Sequence, residues 1–293
     1  MKFRTYREVT GSDRSQLLRQ VTRQRDRVAA RLGKVDRVVA IMSGKGGVGK
    51  SYVTAGLATG LTIGTAEDLG GGVGVLDADL NGPTTGAMLG ASGPLRVTEN
   101  SVEPAVGANG IKVFSTDLLV DEGQPLRWRE PGSEKFVWRE TLEIAAVREF
   151  LSDVAWGELS LLLIDMPPGV GRISDLAELV PDLDGVVAVT IPSEESRRSV
   201  ERSLHRVRES GVEIIGLVEN MSGYRCGSCG VTGNLYGGDA GADLADQFSV
   251  PLLGRIPFEP SSPAPADGHP TGRVVAVPKL PNPVIEHFLE EIR

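Results

Sequence analysis

No stretch constrains this chain more than Val38-Val39-Ala40-Ile41-Met42-Ser43-Gly44-Lys45-Gly46-Gly47-Val48-Gly49-Lys50-Ser51. A β-branched apolar run stops at a glycine-rich loop closed by Lys-Ser, and the amphipathic segment Tyr52 to Ile63 follows it. That order reads as strand, phosphate-binding loop and helix. Gly44, Gly46, Gly47 and Gly49 lack a Cβ, so the backbone can take positive φ and turn its N–H groups onto anionic oxygens at the positive end of a helix. Residues 44 to 52, Val48 and Tyr52 included, are therefore the expected nucleotide-binding segment. Within it Lys50 is expected on the β/γ-phosphates and the Ser51 hydroxyl on magnesium.

Two further strands end in carboxylates. The short apolar run Val73 to Leu76 leads into Asp77-Ala78-Asp79-Leu80-Asn81-Gly82-Pro83-Thr84, and Leu159 to Ile164 leads into Asp165-Met166-Pro167-Pro168-Gly169-Val170-Gly171. In a parallel sheet such strand ends gather beside the phosphate loop. Asp165 is expected to hold magnesium through its water shell, and Asp79 to orient attacking water near that ion, with Asp77 in support. The competing reading has Asp77 and Asp79 merely cap the turn and helix that follow. Pro167 and Pro168 donate no backbone hydrogen bond whereas Gly169 can, so this loop reads as a switch, ordered with ATP and relaxed with ADP, or else as a rigid turn.

The remaining strand and helix patterns alternate without a break, which predicts one α/β domain with a mostly parallel sheet and helices on both faces. Helices are expected over residues 12 to 33, with Ser12 as N-cap and Leu17, Val21, Val28 and Leu32 as its stripe, and over 138 to 156, 194 to 209, 237 to 248 and 282 to 292. Further strands are expected at 111 to 115, 185 to 191, 212 to 218 and 250 to 256. Trp128, Trp138 and Trp156 read as core or interface anchors, and His205, His269 and His287 as surface or packing residues. Residues 1–35 form a basic helical extension, 36–275 the nucleotide-binding domain with a metal loop at 222–238, and 276–293 a C-terminal helix.

Asn220 closes the 212–218 strand pattern, and an amide there can both donate to and accept from an adenine edge. Shortly after it come Cys226 and Cys229, the only cysteines in the chain. A lone Cys-Gly-Ser-Cys pair makes a disulfide framework a poor explanation and points to metal or redox chemistry. A closed tetrahedral or cuboidal site needs four ligands, so a two-fold dimer that supplies the pair twice would complete one.

The chain carries 31 Lys and Arg against 39 Asp and Glu, a formal net charge of −8, which argues against a nucleic-acid coat protein. Residues 1 to 38 run the other way, with eleven basic and four acidic side chains. That basic helix is a solvated face with one packing stripe, or a docking arm for an acidic partner or nucleic acid. No run of about 18 apolar residues occurs, and the first residues lack a signal-peptide core, so the expected location is the cytoplasm with no transmembrane segment.

Lys45, near the start of the loop, makes Gly44 to Ser51 resemble the deviant Walker A motif of the MinD/ParA/nitrogenase-iron-protein class of P-loop NTPases. The resemblance implies that Lys45 reaches a partner's nucleotide across a dimer. With Leu76 to Pro83, Leu162 to Gly171, Glu219-Asn220-Met221-Ser222, Cys226, Cys229, Tyr236-Gly237-Gly238 and Val250 to Pro257, the chain resembles the Mrp/ApbC branch, the iron–sulfur cluster carriers and scaffolds. That implies an ATPase with catalytic residues Lys45, Lys50, Asp79 and Asp165, binding ATP or ADP with Mg2+. It also implies a homodimer carrying a labile [4Fe-4S] cluster, or Zn2+ in its place, on paired Cys226 and Cys229, with cluster donors and recipient apoproteins as partners.

This chain departs from that branch at Tyr52, where Thr is usual, and at Val170 and Arg172, where Thr and Asp are usual; the departures point to slow or differently regulated hydrolysis. Residues 128 to 140 read as expanded and charged relative to the branch's shorter Trp-Arg-Gly-Pro segment. Two other readings stay open: a MinD/ParA-like positioning ATPase that binds DNA or membrane, and a zinc-clipped nucleotide switch that acts through partner binding.

Overall fold

The computed structural model describes residues 17–64, 71–99, 101–119, 139–259 and 277–293. Ser12, Trp128, Trp138 and His269 lie outside the described residues, as does most of the 128–140 expansion; the side chains of Leu17 and Val21 likewise fall outside what is described.

Strand β1 (Val35–Ser43) is the axis of the sheet, since β7 (Leu159–Asp165) and β8 (Gly185–Thr190) both pair with it in parallel. Every residue of β7 and β8 is buried, which requires helices on both faces and explains why Leu161 to Ile164 and Val186 to Val189 are continuously apolar rather than alternating. Beyond β7 come β2 (Val73–Asp77) and β6 (Lys112–Phe114), both parallel, and a short antiparallel edge strand β5 (Ala105–Val106). Beyond β8 lies β9 (Ile214–Arg225), which pairs in parallel with β11 (Leu252–Phe258) and antiparallel with β10 (Thr232–Gly233). Arg96–Val97 (β3) and Val102–Glu103 (β4) make a separate two-stranded ribbon.

Helices α1 (Leu17–Leu32), α2 (Lys50–Gly64), α3 (Thr85–Met88), α4 (Arg139–Asp153), α5 (Arg172–Leu179), α6 (Glu194–Glu209), α7 (Ala240–Phe248) and α8 (Asn282–Ile292) connect or flank the strands. The expected helices and parallel strands are thus present within the described residues, and the ends that fall there are shifted by a few residues at most, the C-terminal end of β9 excepted.

Two segments differ from expectation. The amphipathic reading of residues 52 to 63 underestimates their burial, because Val53 through Thr59 are all buried. The cause is α8 and the segment before it: a Cβ on Gly56 would meet Leu280 at 2.5 Å, and one on Gly60 would meet Ile285 at 2.5 Å. The strand expected to end at Val218 continues to Arg225, since the backbone groups beyond Glu219 find partners in β11 and β10. The small strands β3, β4, β5 and β10 carry too few residues for a periodicity to register.

Trp156 is fully buried, matching its expected role as a core anchor. His205 is exposed and lies against the Phe248 ring, while the His287 Nδ1 pairs with the Leu253 carbonyl. Among the described residues no helix is long and apolar enough to cross a membrane.

Candidate nucleotide site and cysteine turn

The parallel arrangement brings the carboxyl ends of β1, β7 and β2 together, with Ile41 in register with Asp165 and Asp165 with Asp77. The glycine-rich loop leaves β1 at that edge and enters α2 at Lys50. Its glycines do different jobs. Only Gly47 and Gly49 have positive φ, at 79° and 83°. Gly44 is required for close approach instead: a Cβ there would lie 2.4 Å from the Ser199 carbonyl carbon on α6, whose hydroxyl donates to the Gly44 oxygen at 2.7 Å. Gly46 has room, its nearest neighbour being Pro168 at 3.8 Å. The expectation that all four glycines serve positive φ is therefore corrected. The reason is that α6, remote in sequence, seats itself on the start of the loop.

Lys50 Nζ donates to Asp165 Oδ1 at 2.7 Å, and both side chains are almost wholly enclosed. Thr54, one turn into α2, donates to the same oxygen at 3.1 Å. Burial pushes the Asp165 carboxyl up to about 6, against the pull of Lys50; nearby Asp77 adds to the rise and hydrogen bonds from Lys50 and Ser51 oppose it. Asp165 Oδ2 is buried with no aligned hydrogen-bond partner among the described residues.

Asp77 is committed. Its Oδ2 accepts from the Thr84 and Thr85 N–H groups and from the Thr85 and Ser115 hydroxyls, and its Oδ1 from the Asp79 N–H. It thus holds the turn and the start of α3, as the capping reading has it, and through the Asp79 N–H it also sets where Asp79 stands. Asp79 itself is half-buried, and its Oδ1 accepts only a 3.3 Å contact from the Asn81 N–H, so it caps no helix. Lys45 is half-exposed at the rim and forms no ion pair among the described residues.

Three further expectations are adjusted. Asn220 is buried and its Nδ2 donates to the Val48 carbonyl at 2.8 Å, so its amide braces the phosphate loop from behind. The Gly169 N–H donates to the Ser43 carbonyl at 3.3 Å, so it is not a free donor. The Tyr52 hydroxyl donates to the Lys279 carbonyl at 3.4 Å, which ties its ring to the C-terminal segment.

Because β9 runs parallel to β8 and β8 to β1, the cysteines come out at the same edge of the sheet as the phosphate loop. Cys226 and Cys229 occupy the turn between β9 and β10, closed by Cys226 N–H to the Val231 oxygen and Gly230 N–H to the Cys226 oxygen. The backbone N–H of Cys229, and after it that of Ser228, holds the Cys226 thiol below its ordinary range. Cys226 is accordingly expected to alkylate faster with iodoacetamide at pH 7 than the more exposed Cys229, read by peptide mass mapping; equal rates would deny the turn its effect. Around the turn Tyr224, Val231, Leu235, Tyr236 and Phe258 are exposed, and the Tyr224 and Phe258 rings stack 6.4 Å apart. Among the described residues no cluster of three or more His, Cys, Asp or Glu side chains is placed to hold a metal, so one copy offers two thiols.

Sequence reasoning missed Thr54, Ser115, Ser199, Glu143 and Arg172 as members of this region. Each is brought in by packing between elements distant in sequence; of the five only Arg172 stands out in the sequence, as a departure from the branch's loop motif, and its partner Glu143 does not.

The family model described as ParA, NUBPL iron-transfer P-loop NTPase, matches residues 34–280. The iron-sulfur cluster carrier protein of Saccharolobus solfataricus is 36% identical over 265 residues, which cover 90% of this chain and 84% of that protein. The cytosolic Fe-S cluster assembly factor CFD1 of Chaetomium globosum is 39% identical over 246 residues, covering 78% of this chain and 76% of that one. Among solved structures, a nucleotide-binding protein in complex with ADP from Archaeoglobus fulgidus aligns with a TM-score of 0.62 at 29% identity, covering 92% and 93% of the two chains.

Proposed function

The chain belongs to the ParA family of NUBPL iron-transfer P-loop NTPases, and from that premise we propose that it is an ATP-hydrolysing carrier that assembles a [4Fe-4S] cluster between two copies of itself and passes it to apoproteins. The observation that carries this reading is the shared edge: the phosphate loop and the Cys226–Cys229 turn emerge from the same ends of parallel strands. Two copies meeting there face to face would join four thiolates into one cage. The same meeting would bring each half-exposed Lys45 toward the other copy's triphosphate, a cation supplied in trans. The exposed Tyr224, Val231, Leu235, Tyr236 and Phe258 supply apolar area for such a contact.

The residues present fit a magnesium ion. Asp165 Oδ2 is a buried acceptor lacking an aligned partner, the Ser51 hydroxyl stands at the start of α2, and all the donors are oxygens, as a hard cation prefers. When bound, the ion neutralises charge on the phosphates. Lys50 would leave Asp165 for the β/γ-phosphates, the N–H groups around Gly47 and Gly49 would cradle them, and Asp79 would orient the attacking water. The Asn220 amide oxygen, not engaged by the Val48 contact, remains available to an adenine amino group. Relatives named as cytosolic assembly factors favour a cytoplasmic location, and slow turnover fits the altered residues Val170 and Arg172.

Anaerobic reconstitution tests the reading. The wild type is expected to retain close to four irons and four sulfides per dimer. A Cys226→Ser/Cys229→Ser variant is expected to retain essentially none while still binding ADP. Equal retention by both proteins would discard cluster carriage, and zinc without sulfide in the wild type would favour a structural clip.

A further inference from the structure

Glu143, on α4, is a buried carboxylate that none of the proposed chemistry uses. One of its oxygens accepts from the Asn81 side-chain amide at 2.9 Å. The other faces the Arg172 guanidinium at 2.8 Å, with the two side chains only 10% and 17% exposed. That second contact lacks hydrogen-bond alignment, so charge rather than geometry holds it.

The two partners belong to the two loops that leave β2 and β7 beside the phosphate loop. The Asn81 backbone N–H donates to the Asp79 carboxylate, so Asn81 touches Asp79 with its main chain and Glu143 with its side chain. Arg172 is the first residue of α5, directly after Gly171 at φ 93°, where the loop that begins at Asp165 ends. A cation in the first turn of a helix opposes the helix dipole, so Arg172 would be unfavourable there without an anion against it. Asp175 supplies a negative charge within the same turn, and Glu143 is the anion in direct contact with the guanidinium.

We propose that Glu143 is a positioning residue for nucleotide turnover, clasping the Asp79 loop to the loop between β7 and α5 so that the two loops respond to the nucleotide together. The inference rests on the nucleotide-hydrolysing reading above. Removing one member of a poorly solvated pair leaves the other uncompensated, so the clasp is costly to break and suited to transmitting a shift between loops.

Three variants and two measurements test it: Glu143→Ala, Glu143→Gln, and the charge-swapped Glu143→Arg/Arg172→Glu. The Ala variant is expected to lower kcat for ATP by about tenfold or more while KM stays within about threefold, since Lys50 and the phosphate loop are untouched. The Gln variant is expected to lie near Ala because it keeps the amide contact and not the charge; the swapped variant is expected to recover to within about threefold of wild type, the Asn81 amide turning over so that its oxygen accepts from the new guanidinium.

Hydrogen exchange with a non-hydrolysable ATP analogue and Mg2+ should protect residues 78–85 and 166–172 together in the wild type. In Glu143→Ala only one of the two segments should gain protection. A Glu143→Ala protein with wild-type kcat and joint protection overturns the proposal. So does a variant whose kcat falls only in step with its melting temperature, with no recovery on charge swap. Should the wild type bind ATP without turning it over, the hydrolytic reading fails, and the exchange experiment still decides the clasp.

Discussion

Replacing Lys50 by methionine is expected to weaken ADP and ATP binding by at least about thirtyfold and to abolish hydrolysis, the loss corresponding to about 2 kcal/mol or more for truncating a buried charge partner. The phosphates lose their cation, and Asp165 is altered too. Its Oδ1 lies 2.7 Å from Lys50 Nζ, and the Asp165 side chain has no exposure. Unpaired buried charges cost about 3–5 kcal/mol, but a carboxyl already raised to about 6 has an escape, which is to take a proton.

The sign follows from linkage. Folding raises this carboxyl above its ordinary 3.8, so the fold disfavours the ionised form. The penalty is absent below about pH 4, grows towards pH 6 and is fully present above it. Without Lys50 the folded-state value rises further and the window widens upward. Thermal melts of Lys50→Met should therefore approach the wild type at pH 5 and fall away from it at pH 8. Adding Asp165→Asn should recover stability at pH 8 without restoring nucleotide binding. If Lys50→Met bound ADP within threefold of wild type by calorimetry, Lys50 would not be the phosphate ligand.

The second large effect is expected at Gly44. An alanine there would put its Cβ 2.4 to 2.6 Å from Ser199 C, Val200 N and Ser199 O, all backbone atoms of α6 that no rotamer change can move. Overpacking of this kind costs about 1–3 kcal/mol in stability. Relieving it means displacing the start of the phosphate loop and breaking the Ser199 to Gly44 hydrogen bond. A shift of about 1 Å in such a loop is enough to cost tenfold or more in function. Gly46→Ala is the internal control, because its nearest neighbour is 3.8 Å away and its φ is not positive. ADP titration of the two variants should separate them by about an order of magnitude. Equal binding would mean that α6 does not brace the loop.

Much of this was legible in one dimension. The Gly44 to Ser51 spacing, the apolar runs ending in Asp77 and Asp165, and the Cys-Gly-Ser-Cys pair each encode their role locally. A run of apolar residues states its own burial, and a glycine-rich turn states its own backbone freedom. What was harder to read depended on elements far apart in the chain. Asn220 reads as a base-recognition amide from its place at a strand end, yet its Nδ2 lies against the Val48 carbonyl because β9 passes behind the loop. Thr54, Ser115 and Ser199 are single hydroxyls in unremarkable contexts, and only packing gives each its acceptor.

The sequence by itself therefore determined the class of fold, the phosphate loop, the acidic strand ends and the presence of a two-thiol turn, because each rests on the conformational and chemical preferences of neighbouring residues. Only the tertiary structure decided that Gly44 is needed for α6 rather than for its own φ, that Asp77 is spent on holding a turn, and that Glu143 joins Asn81 to Arg172. Those outcomes depend on which surfaces meet when the sheet is covered, and side-chain contacts between different elements leave no periodicity or spacing in the chain to read.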